Sequence, residues 1–221
     1  MGPFVERCTF VYRLVTKLLS LVLKAMMRLE IHGEHRVPLE GGVILVSNHA
    51  SFLDPPIVGA AMRRRGRVVR SLARDSLFRN PLFGALLRRL HAVPISRSKG
   101  DVGALKKALA IIREGGVVAM FPEGTRTPDG RLQRAKDGVG FLVARGGVPV
   151  VPCSIEGSYE AWPKHRKLPR PSKIRIYIGD PIPPEKIAGL GKSRESYAQA
   201  GAMVMKYISN CCPAASKAQE A

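Results

Sequence analysis

Gly42-Val43-Ile44-Leu45-Val46-Ser47-Asn48-His49-Ala50-Ser51-Phe52-Leu53-Asp54-Pro55-Pro56 packs a strand, a turn and a helix start into one short stretch. Val43 to Val46 is a compact, mostly β-branched apolar run preceded by glycine and followed by a polar turn, the pattern of a buried strand. Asp54-Pro55 reads as a helix start, with Asp as N-cap and Pro at the first helical position. Between them lies a polar turn carrying His49. A histidine between a buried strand and a helix sits where α/β proteins place their chemistry. Asp54 follows it by five residues, close enough for its carboxylate to reach one imidazole nitrogen. That bond would fix the tautomer and leave the other nitrogen free to take a proton. The competing reading makes Asp54 a plain helix cap and His49 a surface residue.

Working outward, the same strand-turn pattern returns at Val118-Ala119-Met120-Phe121-Pro122-Glu123-Gly124-Thr125-Arg126. Further strands are predicted at 29–32, 67–73, 92–96, 148–155 and 173–179. Helices are predicted at 54–65, 75–90 with a break near Pro81, 101–114 with Asp101 as cap, 136–145 and 193–210. Strands alternating with helices predict an α/β fold with a largely parallel sheet flanked by helices. The expected organisation is an amphipathic helix over 1–30, an α/β domain over 31–212 and a disordered tail over 213–221.

Asn48-His49-x4-Asp54 resembles the first motif of the glycerolipid acyltransferases, and Phe121-Pro122-Glu123-Gly124-Thr125-Arg126 resembles their third. Val93-Pro94-Ile95-Ser96-Arg97 is similar to the second, with Ser96 where many relatives carry an acid. Val148-Pro149-Val150-Val151-Pro152 is similar to the fourth. The blocks stand in the family's order over roughly residues 30 to 180, and the nearest branch is that of the small bacterial 1-acylglycerol-3-phosphate acyltransferases. The resemblance implies acyl transfer from a thioester of acyl carrier protein or coenzyme A to lysophosphatidate, with phosphatidic acid as product. His49 would be the general base and Asp54 its partner. Arg97, Glu123, Gly124, Thr125, Arg126 and the more weakly assigned Lys136 would form the phosphate end of the acceptor site, with Glu123 orienting an arginine. Pro152 would belong to the acyl-binding wall. The acceptor hydroxyl attacks directly, so neither a protein nucleophile nor a metal or redox cofactor is implied.

Charge agrees with an anionic partner. The 221 residues hold 36 Lys and Arg against 17 Asp and Glu, a formal net charge of +19. Such a surplus suits an anionic membrane surface or a nucleic acid; no aromatic-rich basic segment favours nucleic acid. The run Arg63-Arg64-Arg65-Gly66-Arg67 is expected to face lipid. Between Phe4 and Leu29 the charges Glu6, Arg13, Lys17, Lys24 and Arg28 fall in one stripe about 60° wide at about 100° per residue. Almost everything else there is apolar, yet the longest uncharged run is far short of the ~20 residues a spanning helix needs. This helix therefore either lies in the membrane interface or packs on the domain. The width of its apolar face favours the interface, and with it a peripheral protein on the cytoplasmic face of the membrane.

Several motifs fail. Gly191-Lys192-Ser193 lacks the first P-loop glycine, where Lys186 stands, and no G-x-S-x-G elbow exists. His32, His35, His91 and His165 lack metal-ligand spacing. Cys8, Cys153, Cys211 and Cys212 form no disulfide framework. A basic binding protein without chemistry, or a thioesterase, remain the readings from other classes.

Overall fold

The computed structural model describes residues 10–96, 102–191 and 193–212. In chain order the elements are α1 (Phe10–Met27), β1 (Glu30–His32), β2 (Val43–Ser47), α2 (Asp54–Arg65), β3 (Val69–Arg74), α3 (Pro81–Arg89), β4 (Val93–Ile95), α4 (Val102–Arg113) and β5 (Val117–Met120). They continue with α5 (Asp137–Gly146), β6 (Val150–Glu156), α6 (Ser158–Ala161), β7 (Arg175–Ile178), α7 (Pro184–Ala188) and α8 (Arg194–Asn210). The described strands form one sheet in the order β1-β7-β6-β2-β5-β3-β4. The run from β6 to β4 is parallel; β7 reverses against β6, and β1 lies parallel to β7. The expected largely parallel α/β sheet is the one observed.

β2 sits in the middle because it is apolar on both faces. Ile44 pairs with Val118 of β5 on one side and Val150 of β6 on the other. Its side chains then alternate. Val43 and Leu45 enter a core with Ile57 and Met62 of α2, while Ile44 and Val46 enter a second core with Leu142 of α5 and Val204 of α8. The five mutually parallel strands end at the same edge of the sheet, where the polar turns after β2 and β5 meet.

Local chemistry shifts some boundaries. Asp54 is not the N-cap of α2. Leu53 holds that position without a side-chain bond, and α2 opens on Asp54 itself, whose carboxylate turns back into the preceding loop. The predicted helix over 75–90 divides into a 3-10 turn at Asp75–Phe78 and α3 from Pro81, since Asn80 accepts a hydrogen bond from the Phe83 N–H and restarts the helix. α6 and α7 are too short to leave a periodic signature. Asp101, the expected cap, and residues 213–221, the expected tail, lie outside the described residues.

α1 packs on α2 through a narrow inward stripe of Tyr12, Thr16, Ser20, Leu23 and Met27. Thr16 and Ser20 are tolerated there because each hydroxyl donates to a carbonyl one turn back, at 2.7 and 2.6 Å. Leu23 and Met27 join the same core as Ile57. Outward stand Phe10, Leu14, Leu18, Leu21, Val22 and Met26, all exposed. Packing on the domain and presenting an apolar face are therefore not alternatives: the wide face is divided between them. Among the described residues no helix is long and apolar enough to cross a membrane.

The arginine run, Arg63 to Arg65 in the last turn of α2 and Arg67 just past it, is engaged by the protein itself, contrary to its expected role as a lipid-facing patch. Arg63 donates to Ser20, Arg64 pairs with Glu34 at 2.9 Å, and Arg65 donates to the Val37 carbonyl. Arg67 donates to the carbonyls of Pro38, Gly41 and Gly115. These guanidiniums fasten the chain on either side of β2, and the planar multi-donor fork of arginine suits it to that work.

Candidate active site

His49 stands just beyond the end of β2, and its backbone is held from both sides by the loop after β5. Its N–H donates to Glu123 Oε1 at 2.8 Å, and its carbonyl accepts from the Thr127 N–H at 2.8 Å. The residue before it is fastened to β6. Asn48 Nδ2 donates to the Ile155 carbonyl at 2.9 Å, and Asn48 Oδ1 accepts from the Ile155 N–H at 2.7 Å. A side-chain amide thereby continues the sheet's hydrogen bonding past the point where β2 leaves it. The ring of His49 stacks on Phe121, with centroids 4.2 Å apart.

Nδ1 of His49 lies 2.8 Å from Oδ2 of Asp54. The same oxygen accepts the backbone N–H groups of Ala50 and Ser51, each at 2.7 Å. Asp54 is fully buried; the bonds to Oδ2 offset part of its removal from water, while Oδ1 is buried with no hydrogen-bond partner among the described residues. With Nδ1 so engaged, Nε2 is the ring nitrogen that Asp54 does not hold. His49 borders a cleft of about 160 Å³, together with Asn48, Glu123, Thr127, Leu132 and Ser154.

Glu123 is almost wholly buried. Burial pushes its carboxyl up to about 7, against the smaller opposing effect of backbone donors at His49 and Gln133; the negative charge of Asp54 raises it further. Among the described residues it pairs with no arginine, contrary to the orienting role expected from the sequence. Its visible work is to hold the backbone of His49.

Arg126 lies over the Phe52 ring, its guanidinium carbon 3.3 Å from the centroid, a cation–π contact. Phe52 in turn leans on Trp162 at 5.0 Å. Burial lowers the Arg126 pKa, the nearby charge of Arg74 lowers it further, and Asp54 opposes both. Two guanidiniums are thus close enough to repel each other on the flank of the His49–Asp54 pair, an arrangement that an anion would relieve. Gly124 has φ +65°, and a Cβ there would lie 2.9 Å from the Lys136 side chain. The glycine therefore lets Lys136 lie along the turn of Gly124, Thr125 and Arg126.

The other expected site residues are placed differently. Arg97 lies outside the described residues. Pro152 is buried within β6, opposite Val46, and its carbonyl lies beside the Cys211 thiol. Cys153 is buried, and burial raises its thiol pKa well above the usual range. Burial raises Cys211 to about 11. Phe52, Arg74 and Thr127 are not singled out by the sequence, and Asn48 enters there only as the opening residue of the first motif, without a role. Phe52 lies inside the quoted turn, so proximity to His49 is its only signal.

The profile of the acyltransferase family matches residues 28–156, which carry β2, β5 and both turns. The chain belongs to the acyltransferase family. This acyltransferase is 24% identical over 172 residues to the 1-acyl-sn-glycerol-3-phosphate acyltransferase of Bacillus subtilis (strain 168), covering 77% of this chain and 82% of that one. It is 33% identical over 157 residues to the 1-acyl-sn-glycerol-3-phosphate acyltransferase of Limnanthes alba, covering 70% of this chain and 54% of that longer one. The crystal structure of the 1-acyl-sn-glycerophosphate acyltransferase PlsC from Thermotoga maritima superimposes with a TM-score of 0.69 at 26% identity, over 92% of this chain and 83% of that one. The enzyme is an acyltransferase of the glycerolipid type.

Proposed function

We propose that this enzyme transfers a fatty acyl group from a thioester, of acyl carrier protein or coenzyme A, to the sn-2 hydroxyl of 1-acylglycerol 3-phosphate, forming phosphatidic acid. The observation that carries this reading is the His49 imidazole, held at Nδ1 by buried Asp54 and flanked by the Arg126 guanidinium. Relatives with 24–33% identity are named for this acceptor.

In this mechanism Nε2 takes the proton of the acceptor hydroxyl as its oxygen attacks the thioester carbonyl. The tetrahedral intermediate collapses, the carbon–sulfur bond breaks, and the leaving sulfur takes the proton from the imidazolium. Asp54 stabilises that imidazolium. Arg126, with Gly124, Thr125 and Lys136 in the same turn, binds the acceptor phosphate; Arg97 is assigned there from sequence alone. Glu123 acts through His49, because a carboxyl bound to the base's backbone gains nothing from a phosphate. The chemistry needs no metal or redox cofactor, only the thioester co-substrate. The outer face of α1 rests on an anionic bilayer at its cytoplasmic face, where acceptor and product reside.

The test is thiol release by the purified full chain, with both donors and a panel of acceptors. Release that requires lysophosphatidate, and is lost when glycerol replaces it, supports the reading. Release independent of any acceptor would make the protein a thioesterase. Labelled donor alone, followed by denaturation, should leave no label on protein, since the thiols of Cys153 and Cys211 are held in their protonated forms. Arg126→Gln should raise the KM for lysophosphatidate roughly 10- to 100-fold, from loss of a charged hydrogen bond, with a smaller effect on the KM for the donor.

A further inference from the structure

Fourteen large apolar side chains are exposed among the described residues, and they are not scattered. Six belong to the outer face of α1. Four more, Leu77, Leu82, Phe83 and Leu86, fall in the short segment formed by the 3-10 turn at Asp75–Phe78 and by α3. Leu82 is 84% exposed, more than any other of them.

This segment is built with its apolar side out. Gly84 is the buried residue of α3, and a Cβ there would lie 2.6 Å from the Phe78 carbonyl oxygen. The helix therefore folds against its own preceding 3-10 turn through its smallest residue, and Leu82, Phe83 and Leu86 stand outward. A lone helix of nine residues gains nothing from water by doing so. Arg79, Arg88 and Arg89 are exposed around the leucines and phenylalanine, with Asp75 the sole acid between residues 75 and 89.

The segment also joins two regions already described. At its start it continues from Arg74, whose charge is felt by Arg126 at the flank of the site. Just past its end, the ring of His91 lies 5.4 Å from that of Tyr12 on α1. We propose that residues 77–89 form a second bilayer-contact element, which sets the arginine flank of the active site against the headgroups of an anionic membrane. This rests on the lipid-acceptor reading given above.

Several observations select a bilayer as the occupant. Protruding Leu and Phe side chains ringed by arginines match an acyl layer beneath an anionic headgroup layer. The segment is also tied to α1, which carries the other exposed apolar face, through the contact of His91 with Tyr12 on the inward side of that helix. A second copy of this chain is disfavoured, because a two-fold contact would set arginine against arginine in a protein of net charge +19. The consequence is that the acceptor need not leave the bilayer: its phosphate reaches Arg126 while its chain stays among lipids beneath α3.

The test uses the full chain and the double substitution Leu82→Ser and Phe83→Ser. Both side chains are exposed, so the melting temperature serves as a check on folding. Binding is first measured by co-sedimentation with acceptor-free vesicles of phosphatidylcholine containing phosphatidylglycerol. The variant should partition at least roughly tenfold less, a lower bound for losing two inserted apolar side chains, since full burial of either one is worth about that factor or more. Turnover of long-chain acceptor in the same vesicles should fall in step, while turnover of a short-chain, water-soluble acceptor stays within twofold. Replacing Arg79, Arg88 and Arg89 with Gln should weaken binding to phosphatidylglycerol-containing vesicles and leave binding to pure phosphatidylcholine vesicles unchanged.

Unchanged vesicle partition in the double variant overturns the proposal. If partition is unchanged and the KM for acyl carrier protein rises instead, the face is a carrier dock and the proposal is wrong. Equal loss on soluble and embedded acceptors also overturns it, since the segment would then be a structural part of the site. The sedimentation arm involves no turnover, so failure here is distinct from failure of the proposed reaction.

Discussion

His49 and Leu82 stand at opposite extremes of the same molecule. The histidine is fastened through its backbone N–H, its carbonyl, its Nδ1 and its ring face, by residues of the loop after β5 and by the first residue of α2. The leucine stands almost free on a short helix that packs on its own preceding turn through a glycine. Catalysis by proton transfer needs a fixed distance and angle, and the fold fixes them with hydrogen bonds of defined geometry. Contact with a fluid lipid surface needs only apolar area and charge of the right sign, and neither requires a fastened side chain. The site is therefore precise and buried, the surface loose and exposed, and changes to one should leave the other intact.

The strongest way to break that comparison is at the base. His49→Ala should lower turnover by roughly 10²- to 10⁴-fold while vesicle partition and melting temperature stay near those of the parent. Asp54→Asn should fall between the two, because an amide can accept from Ala50 and Ser51 but cannot stabilise an imidazolium. Steady-state rates beside sedimentation give the answer; near-normal turnover of His49→Ala would remove it from the mechanism.

Much of this site is legible in the sequence, for reasons that also mark where legibility stops. The strands β2, β5 and β6 are short apolar runs punctuated by Gly and Pro, and the five-residue spacing of His49 and Asp54 is local. The bonds that seat His49 are not. Asn48 reaches Ile155 across 107 residues and Glu123 reaches His49 across 74, so no local pattern reveals either. The resemblance that placed Glu123 in the site could not show that it serves the base's backbone rather than a phosphate. α1 shows a different limit. Periodicity gives the width of its apolar face but not how much of it a neighbour covers. Thr16 and Ser20 look like surface residues until their hydroxyls are seen to be satisfied within the helix. For the same reason, deleting residues 1–28 would strip α2 of Leu23 and Met27, and substitutions confined to the outer face are the cleaner probe of membrane contact.

A smaller effect sharpens the contrast in burial. The Glu123 carboxyl is raised to about 7 from 4.5, so the folded chain keeps a proton that the unfolded chain has released. Its contribution to stability is fully present below about 4.5 and is lost as pH rises through about 7. Glu123→Gln, which resembles the protonated acid, should remove that dependence. The difference in unfolding free energy between parent and variant should change by on the order of 1–3 kcal/mol between pH 4.5 and pH 7.5. Urea titrations at the two pH values measure it, and parallel curves would show that Glu123 is not held protonated.

The smallest expected effect is a null on the surface side. Leu168 is 74% exposed but belongs to neither α1 nor the segment of α3. Leu168→Ser should alter neither vesicle partition nor turnover, and should change stability by less than about 0.5 kcal/mol. A loss of partition equal to that of the α3 variant would mean that exposed apolar area anywhere on this basic protein suffices.

The long reach of the bonds around His49 also orders events in time. A chain that has folded only as far as β5 already contains His49, Asp54, Glu123 and Thr127, but Asn48 has nothing to hold until Ile155 arrives in β6. Contacts so distant in sequence form late, because a long loop must close before they reward the chain. On refolding, helical content should therefore return before enzymatic competence, and the interval between them should be set by the docking of β6 beside β2. Acyl transfer is in this sense the last property the fold acquires, and its recovery reports when the central sheet is complete.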